Sequence, residues 1–281
     1  MPELPEVETI VRGIAPLIEG LSITKAKVLN SKLRIEIPQD FARAVKGKTI
    51  TKVKRKAKYI LLELDNHRVI VIHLGMSGRL RVYLNLQEYK KAKHDHLIID
   101  LSNGGLLVFN DTRRFGLVTL LREPEFAEFK FFKKLGLEPL SKEFNTVQLF
   151  KITQARNKSI KSVIMDSSIV VGVGNIYASE SLFSAGIHPG RIASTLTKKE
   201  AGKLYEAIVE TLERAIEAGG STLRDYAKAD GEAGYFQHQF LVYDRLDMPC
   251  SKCSRPIHQI RQNGRSTYFC GHCQSFFFKS R

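Results

Sequence analysis

All four cysteines of the chain fall in its last thirty-two residues, as Cys250-x2-Cys253-x16-Cys270-x2-Cys273. Two C-x-x-C pairs can close four thiolates on one ion, the tetrahedral shell of structural zinc. With sulfur in every position no site is left for water, so a single Zn2+ is expected to brace a hairpin rather than to catalyse. Residues 248–281 also carry Lys252, Arg255, Arg261, Arg265, Lys279 and Arg281 and no Asp or Glu. A metal-braced hairpin stripped of carboxylates reads as a phosphate-contacting element; the plainer alternative is a ribbon that only stabilises the terminus.

The other end offers different chemistry. Met1-Pro2-Glu3-Leu4-Pro5-Glu6 can be read simply as a helix start. Yet initiator methionine is removable before a residue as small as proline, which leaves Pro2 a secondary amine. Attack of that amine on a sugar C1′ gives an iminium whose fixed positive charge acidifies the C2′ hydrogen, so strand cleavage by β-elimination follows. Glu3 stands beside it and can move protons.

Elements must place these groups. A helix is expected over 5–18, with Pro5 in its first turn and Val7, Ile10, Val11 and Ile14 on one face. From about 22 to 121 short β-rich runs separated by turn residues (49–53, 59–64, 69–73, 97–101, 106–109 and 117–121) suggest a sandwich or barrel. Residues 123–139 are charged and hold two prolines, a hinge. Helical periodicity covers 145–218, clearest in 198–218, and 175–185 forms a helix entered from the turn Gly172-Val173-Gly174. Gly219–Gly234 reads as a loop. Domains are therefore expected at 1–128, 135–226 and 241–279.

The composition sets the partner. At 281 residues, 31.8 kDa, 43% apolar and 26% charged, the chain matches a globular protein rather than a disordered one. No apolar run reaches the roughly 18 residues of a membrane helix, and the N-terminus lacks a secretory pattern, so a cytoplasmic protein without a membrane partner is expected. A net charge of +15 favours a polyanion such as nucleic acid. Two loop tips suit a duplex: Met76 between Gly75 and Gly78, and Arg113 with Phe115 after Asn110-Asp111-Thr112. Without a partner, such a methionine folds onto the core and such arginines are merely solvated.

PELPEVET at the N-terminus, RKAKY around Lys58, HLGMSGRL, KHDH, RRFG at 113–116, VVGVGNIYASE and the cysteine array closely resemble, in order along the whole chain, the bacterial formamidopyrimidine-DNA glycosylases, also called 8-oxoguanine DNA glycosylases. The resemblance implies an α+β fold: an N-terminal β-sandwich with a leading helix, a C-terminal helical helix-two-turn-helix domain, and a four-cysteine zinc-finger hairpin. It implies a monomeric base-excision repair enzyme that removes oxidised purines (8-oxoguanine, formamidopyrimidines) from double-stranded DNA and nicks the strand by β,δ-elimination.

By motif position, the resemblance makes Pro2 the Schiff-base nucleophile, Glu3 the general acid, Lys58 the proton donor for β-elimination, Arg265 the arginine of δ-elimination and Glu6 a second acid or positioning group. Met76, Arg113 and Phe115 fill the gap left by an extruded base, offsetting an unstacking cost of roughly a few kcal/mol. Arg113 also meets the orphaned cytosine. His73, His94, Arg156, Lys161 and Asn175 are expected phosphate contacts, with Arg265. Residues 219–235 correspond to the loop that caps the everted base, with Ser221, Thr222 and Tyr226 as its contacts. His94 and His96 flank Asp95, and an alternating strand would put both histidines on one face, but no further ligand suggests a second metal there. Two other readings stay open: an endonuclease VIII-like glycosylase for oxidised pyrimidines, and a non-catalytic damage-binding zinc protein.

Overall fold

The computed structural model describes residues 2–221 and 235–276. Two compact units emerge, one of residues 1–133 and 218–235, the other of 134–217 and 236–281. The division falls inside the segment read as a hinge.

The first unit opens with helix α1 (Leu4–Ile18), whose buried residues Leu4, Val7, Ile10, Val11, Ile14 and Ile18 recur at helical spacing on one face. Strand β1 (Ile23–Val28) and the short helix α2 (Phe41–Val45) follow. Then come β2 (Ile50–Lys56), β3 (Tyr59–Leu64), β4 (Arg68–His73), β5 (Gly78–Tyr83), β6 (Asp95–Leu101), β7 (Leu106–Asp111) and β8 (Leu117–Arg122).

They form two antiparallel four-stranded sheets, ordered β1-β6-β7-β5 and β2-β3-β4-β8. Alternate residues of both sheets, among them Ile60, Leu62, Ile70, Ile72, Leu97, Ile99, Leu107, Phe109 and Val118, share one core with the α1 face. This is the β-sandwich with a leading helix that the sequence implied.

Strands β1 and β5 were not resolved as separate elements by the sequence patterns. Lys25, Lys27, Arg79 and Arg81 alternate with the inward residues and dilute their apolar signal. The hinge segment holds an aromatic cluster, with Phe132 packed edge-on against Tyr59 and Phe129.

The second unit contains α3 (Thr146–Gln154), α4 (Ile160–Ile164), α5 (Asn175–Ser184) and α6 (Lys198–Glu217). Between α4 and α5 the chain makes two successive turns, closed by Asp166 N to Val163 O and Val170 N to Asp166 O, with Gly172 at φ 84° before α5. A hairpin of β9 (His258–Gln262) and β10 (Arg265–Phe269) ends the described chain. The buried Glu180 carboxylate on α5 accepts the backbone N–H groups of Leu241, Val242 and Tyr243 at 2.8–3.0 Å. Burial raises its pKa despite those three donors. Gln274 bridges Cys270 N to Ile187 O and ties the hairpin to the helices.

Candidate functional site

Pro2 is buried at the head of α1, and Glu3 beside it is the N-cap, only 4% exposed. The Glu6 carboxylate fixes this end of the helix. One of its oxygens accepts Glu3 N at 2.8 Å, and the other accepts both Ser221 N (2.8 Å) and Ser221 Oγ (2.9 Å). Gly220, at φ +77°, makes this approach possible, since a Cβ there would lie 3.2 Å from Glu6 Cγ. Both Glu6 oxygens are thus engaged, which suits a positioning group better than an acid. Thr222 and Tyr226 lie outside the described residues.

Lys58 occupies the second position of the two-residue turn joining β2 to β3, after Ala57 at φ 52°. The tip is clamped to α1: Arg55 donates to Ala57 O (3.0 Å) and to the Glu8 carboxylate (2.8 Å). Burial alone would raise the Glu8 carboxyl, but hydrogen bonds from Arg12 and Arg55 outweigh it and hold it below the ordinary value. One ion pair therefore fixes the lysine tip relative to the helix that carries Pro2 and Glu3.

The two expected wedge tips share one strut, Asp111 at the end of β7, which is fully buried. Its Oδ1 accepts Ser77 Oγ (2.6 Å) and Arg113 N (3.2 Å), and its Oδ2 accepts Gly116 N (2.7 Å). The tips touch backbone to backbone, so a Cβ on Gly75 would lie 2.4 Å from the Phe115 carbonyl carbon. Met76 and Phe115 project from them 36% and 49% exposed, and the Arg113 guanidinium stacks 4.9 Å from the Phe115 ring centre. The methionine does not fold back onto the core.

Arg34, His73, Gly75, Met76 and Phe115 line a mainly apolar recess of about 280 Å³. His73 is lowered to about 4, first by burial and then by the positive charges of Lys58 and Arg34. It is therefore neutral at pH 7. Its Nδ1 accepts Gly75 N at 3.0 Å, which leaves Nε2 to carry the proton, a neutral donor suited to a phosphate oxygen. His94 is half-buried just before β6. His96 is buried, with Nε2 2.7 Å from Asp111 O, and the β6–β7 register shifts between Asp95 and Leu97. Simple alternation does not describe the two histidines.

In the second unit, Asn175 opens α5 and donates to Ser266 O at 2.9 Å, bringing α5 against β10. Lys161 departs from the expectation of a phosphate contact. It is 2% exposed, and its ammonium donates to Asn175 Oδ1 (2.7 Å), Thr267 Oγ1 (2.8 Å) and Ser266 O (3.4 Å). Its partners lie as far as 106 residues away, beyond the reach of any local pattern. It orients Asn175 and β10 from inside. Arg156 donates to Ile152 O and lines a groove of about 890 Å³ with Lys158, Ser159, Ser162 and Asn263.

Arg265 is exposed at the start of β10, next to the turn Asn263-Gly264. Lys252 is exposed. Its ammonium meets Phe183 O and Ser184 O at the C-terminal end of α5 and lies 4.7 Å from the Phe183 ring centre. Lys279 and Arg281 lie outside the described residues.

The four cysteine sulfurs lie within 4.8 Å of one another, with Cys250–Cys273 at 3.8 Å and Cys253–Cys270 at 3.5 Å. A zinc ion with bonds of about 2.3 Å requires a sulfur tetrahedron of edge about 3.8 Å, so the geometry fits. Backbone N–H groups of Lys252 and Cys273 point at Cys250 Sγ (3.4 Å) and Cys270 Sγ (3.5 Å), supporting thiolate charge. Among the described residues no other group of three or more Cys, His, Asp and Glu side chains is so arranged, and no helix is long and apolar enough to cross a membrane.

Family models match three stretches of the chain: the N-terminal domain of formamidopyrimidine-DNA glycosylase over 1–118, its H2TH domain over 135–227, and a zinc finger found in FPG and IleRS over 249–275. A formamidopyrimidine-DNA glycosylase from the Wolbachia of Brugia malayi is 47% identical over 98% of this chain and all of its own length. One from Marinobacter nauticus is 48% identical over the same shares.

Among solved structures, a Lactococcus lactis Fpg complex with DNA containing an abasic site has a TM-score of 0.88 at 32% identity, covering 97% of this chain and 99% of that one. Thermus thermophilus MutM (Fpg) has a TM-score of 0.87 at 36% identity, covering 97% and 98%. These matches run through both units and the hairpin, and the class they define is the DNA glycosylases that are also AP lyases. The chain belongs to the formamidopyrimidine-DNA glycosylase family, with one structural zinc.

Proposed function

We propose that the chain excises oxidised purines, 8-oxoguanine and formamidopyrimidines, from duplex DNA and then cuts the strand at the abasic site. The observation that carries this reading is the buried Pro2-Glu3 pair at the head of α1, held by Glu6 and flanked through Arg55 and Glu8 by the Lys58 tip. Structures of the Lactococcus lactis relative hold DNA with an abasic site or with Fapy-dG, which supports the same substrate class.

After loss of Met1, the Pro2 nitrogen attacks C1′. The C1′–N9 bond breaks, its electron pair leaves with the base, and Glu3 supplies the proton that sugar opening requires. The resulting iminium draws electrons from C2′. Loss of the C2′ proton breaks the C3′–O3′ bond, and the downstream strand departs with a 5′-phosphate. Lys58 serves the proton transfers of this step. Loss of the C4′ proton then breaks the C5′–O5′ bond, leaving a 3′-phosphate upstream, and Arg265 is assigned to this δ-elimination. Water hydrolyses the remaining imine and frees Pro2.

Met76, Arg113 and Phe115 occupy the gap in the stack, with Arg113 toward the orphaned cytosine. His73, His94, Arg156, Asn175 and Arg265 contact phosphates, and Lys161 acts through Asn175. The four thiolates of the hairpin hold zinc, whose contribution is to keep Arg265 on a folded β9–β10. The reading places the protein in the bacterial cytoplasm, at the nucleoid, as a monomer.

Excision from 8-oxoguanine:C and thymine glycol:A duplexes tests the reading. Preference for the first supports it. Preference for the second favours the endonuclease VIII-like reading, and tight lesion binding without excision favours the damage-binding one.

A further inference from the structure

The hairpin that bears Arg265 is held at both ends of its tip, and both tethers reach consecutive residues of α4. Downstream of Arg265, Ser266 O and Thr267 Oγ1 accept the Lys161 ammonium at 3.4 and 2.8 Å. Upstream, Asn263 Nδ2 donates to Ser162 Oγ at 2.8 Å, and that hydroxyl pairs with Ser159 Oγ at 2.7 Å. Asn263 (φ 49°) and Gly264 (φ 75°) form the two-residue turn between the paired residues Gln262 and Arg265. A turn with positive φ at both positions accepts Asn or Gly without regard to any further contact. The Asn263 side chain is therefore not needed for the turn itself, yet it reaches across 101 residues to a serine that the chemistry above does not use.

We infer that Asn263 and Ser162 are positioning residues for δ-elimination, holding the tip of the zinc hairpin so that the Arg265 guanidinium meets the second departing phosphate. Neither touches DNA in this role. With the downstream tether alone, the tip pivots about Ser266, and an arginine at the end of a long side chain amplifies that movement. The step affected is breakage of C5′–O5′. In attack by Pro2 and breakage of C3′–O3′ no proton transfer is assigned to this tip, and saturating enzyme removes its phosphate contact from the rate of trapping. The inference rests on the assignment of Arg265 to δ-elimination.

The test uses full-length, zinc-loaded protein and a duplex with a preformed abasic site. It measures the ratio of 3′-phosphate ends to 3′-unsaturated aldehyde ends, together with the rate of borohydride trapping. Asn263→Gly keeps the turn and removes the side chain, Ser162→Ala removes the acceptor from outside the finger, and Ser162→Thr restores a hydroxyl.

Asn263→Gly and Ser162→Ala are each expected to lower the ratio about fivefold, the factor carried by one lost hydrogen bond, with trapping unchanged. Their double variant should be no worse than either, and Ser162→Thr should return toward the parent. Arg265→Gln is the reference. If it shifts the ratio while Asn263→Gly and Ser162→Ala, both retaining one zinc, keep the parental value, the positioning inference is overturned alone. If Arg265→Gln leaves the ratio unchanged, the assignment of Arg265 falls and the inference falls with it.

Discussion

Asp111→Asn separates the strut beneath the wedge tips from the residues that would meet DNA. The replacement keeps the shape of a fully buried side chain whose carboxylate accepts Ser77 Oγ, Arg113 N and Gly116 N at 2.6–3.2 Å. An amide has one oxygen and one NH2. Whichever way it turns, one donor loses its acceptor: Gly116 N when the NH2 takes the Oδ2 position, or the Ser77 hydroxyl when it takes the Oδ1 position, where Arg113 N still keeps Ser77 Oγ at 3.0 Å.

An unsatisfied buried donor costs about 1–3 kcal/mol, and the remaining bonds lose their charge assistance, so the total is about 2–4 kcal/mol. For a unit of this size the melting temperature should fall by roughly 5–10 °C. Binding to a duplex with a tetrahydrofuran abasic analogue opposite C should weaken about tenfold, and preference for C over A should shrink, as the loss of one base contact implies. Ser77→Ala, which removes one of the three donors, should cost about 1 kcal/mol. Parental melting together with undiminished preference for C in Asp111→Asn would refute the strut.

His73 gives a signed pH dependence. Its pKa falls from 6.5 to about 4 in the fold, so the unfolded chain binds the proton first as pH drops. The stabilisation is complete above pH 6.5 and is lost as the pH falls toward 4, amounting to at most roughly 3 kcal/mol. Urea melts of His73→Gln should lack that part of the pH slope, and an unchanged slope would contradict the assignment. Glu180→Gln replaces one acceptor oxygen facing the N–H groups of residues 241–243 with a donor, and should cost about 2–4 kcal/mol in urea melts. Chelation of zinc should unfold the β9–β10 hairpin, release one equivalent of metal and abolish the 3′-phosphate ends that δ-elimination leaves, while far-UV circular dichroism retains the sandwich signal. Affinity for lesion DNA should drop roughly 10³- to 10⁵-fold between 50 and 200 mM salt if six to ten phosphates are neutralised.

The parts of this molecule that are local in sequence were readable there. The cysteine spacing announced its own geometry, and α1, β3 and most of α6 follow from apolar periodicity with bounds close to those observed. The tips bearing Met76 and Arg113 were visible as turn chemistry. Their strut was not, because Asp111 looks like any turn aspartate until Ser77 and Gly116 are brought to it. Glu180 and Gln274 were hidden for the same reason, since each is defined by backbone groups far along the chain. Neither motif nor charge showed the surroundings of two lysines: Lys161, expected from its motif, is buried against Asn175, Ser266 and Thr267, and Lys252, counted among the hairpin's cations, meets the carbonyls at the end of α5.

The central claim is the covalent role of the Pro2 nitrogen. Borohydride reduction of the enzyme mixed with 8-oxoguanine duplex, followed by proteolysis and mass mapping, reads it directly. The sugar remnant should lie on a peptide that begins at Pro2 and lacks Met1, and Pro2→Gly should greatly slow its formation while the zinc content stays at one. A remnant on Lys58 or on any other side chain, or equal trapping by molecules that retain Met1, would contradict the mechanism.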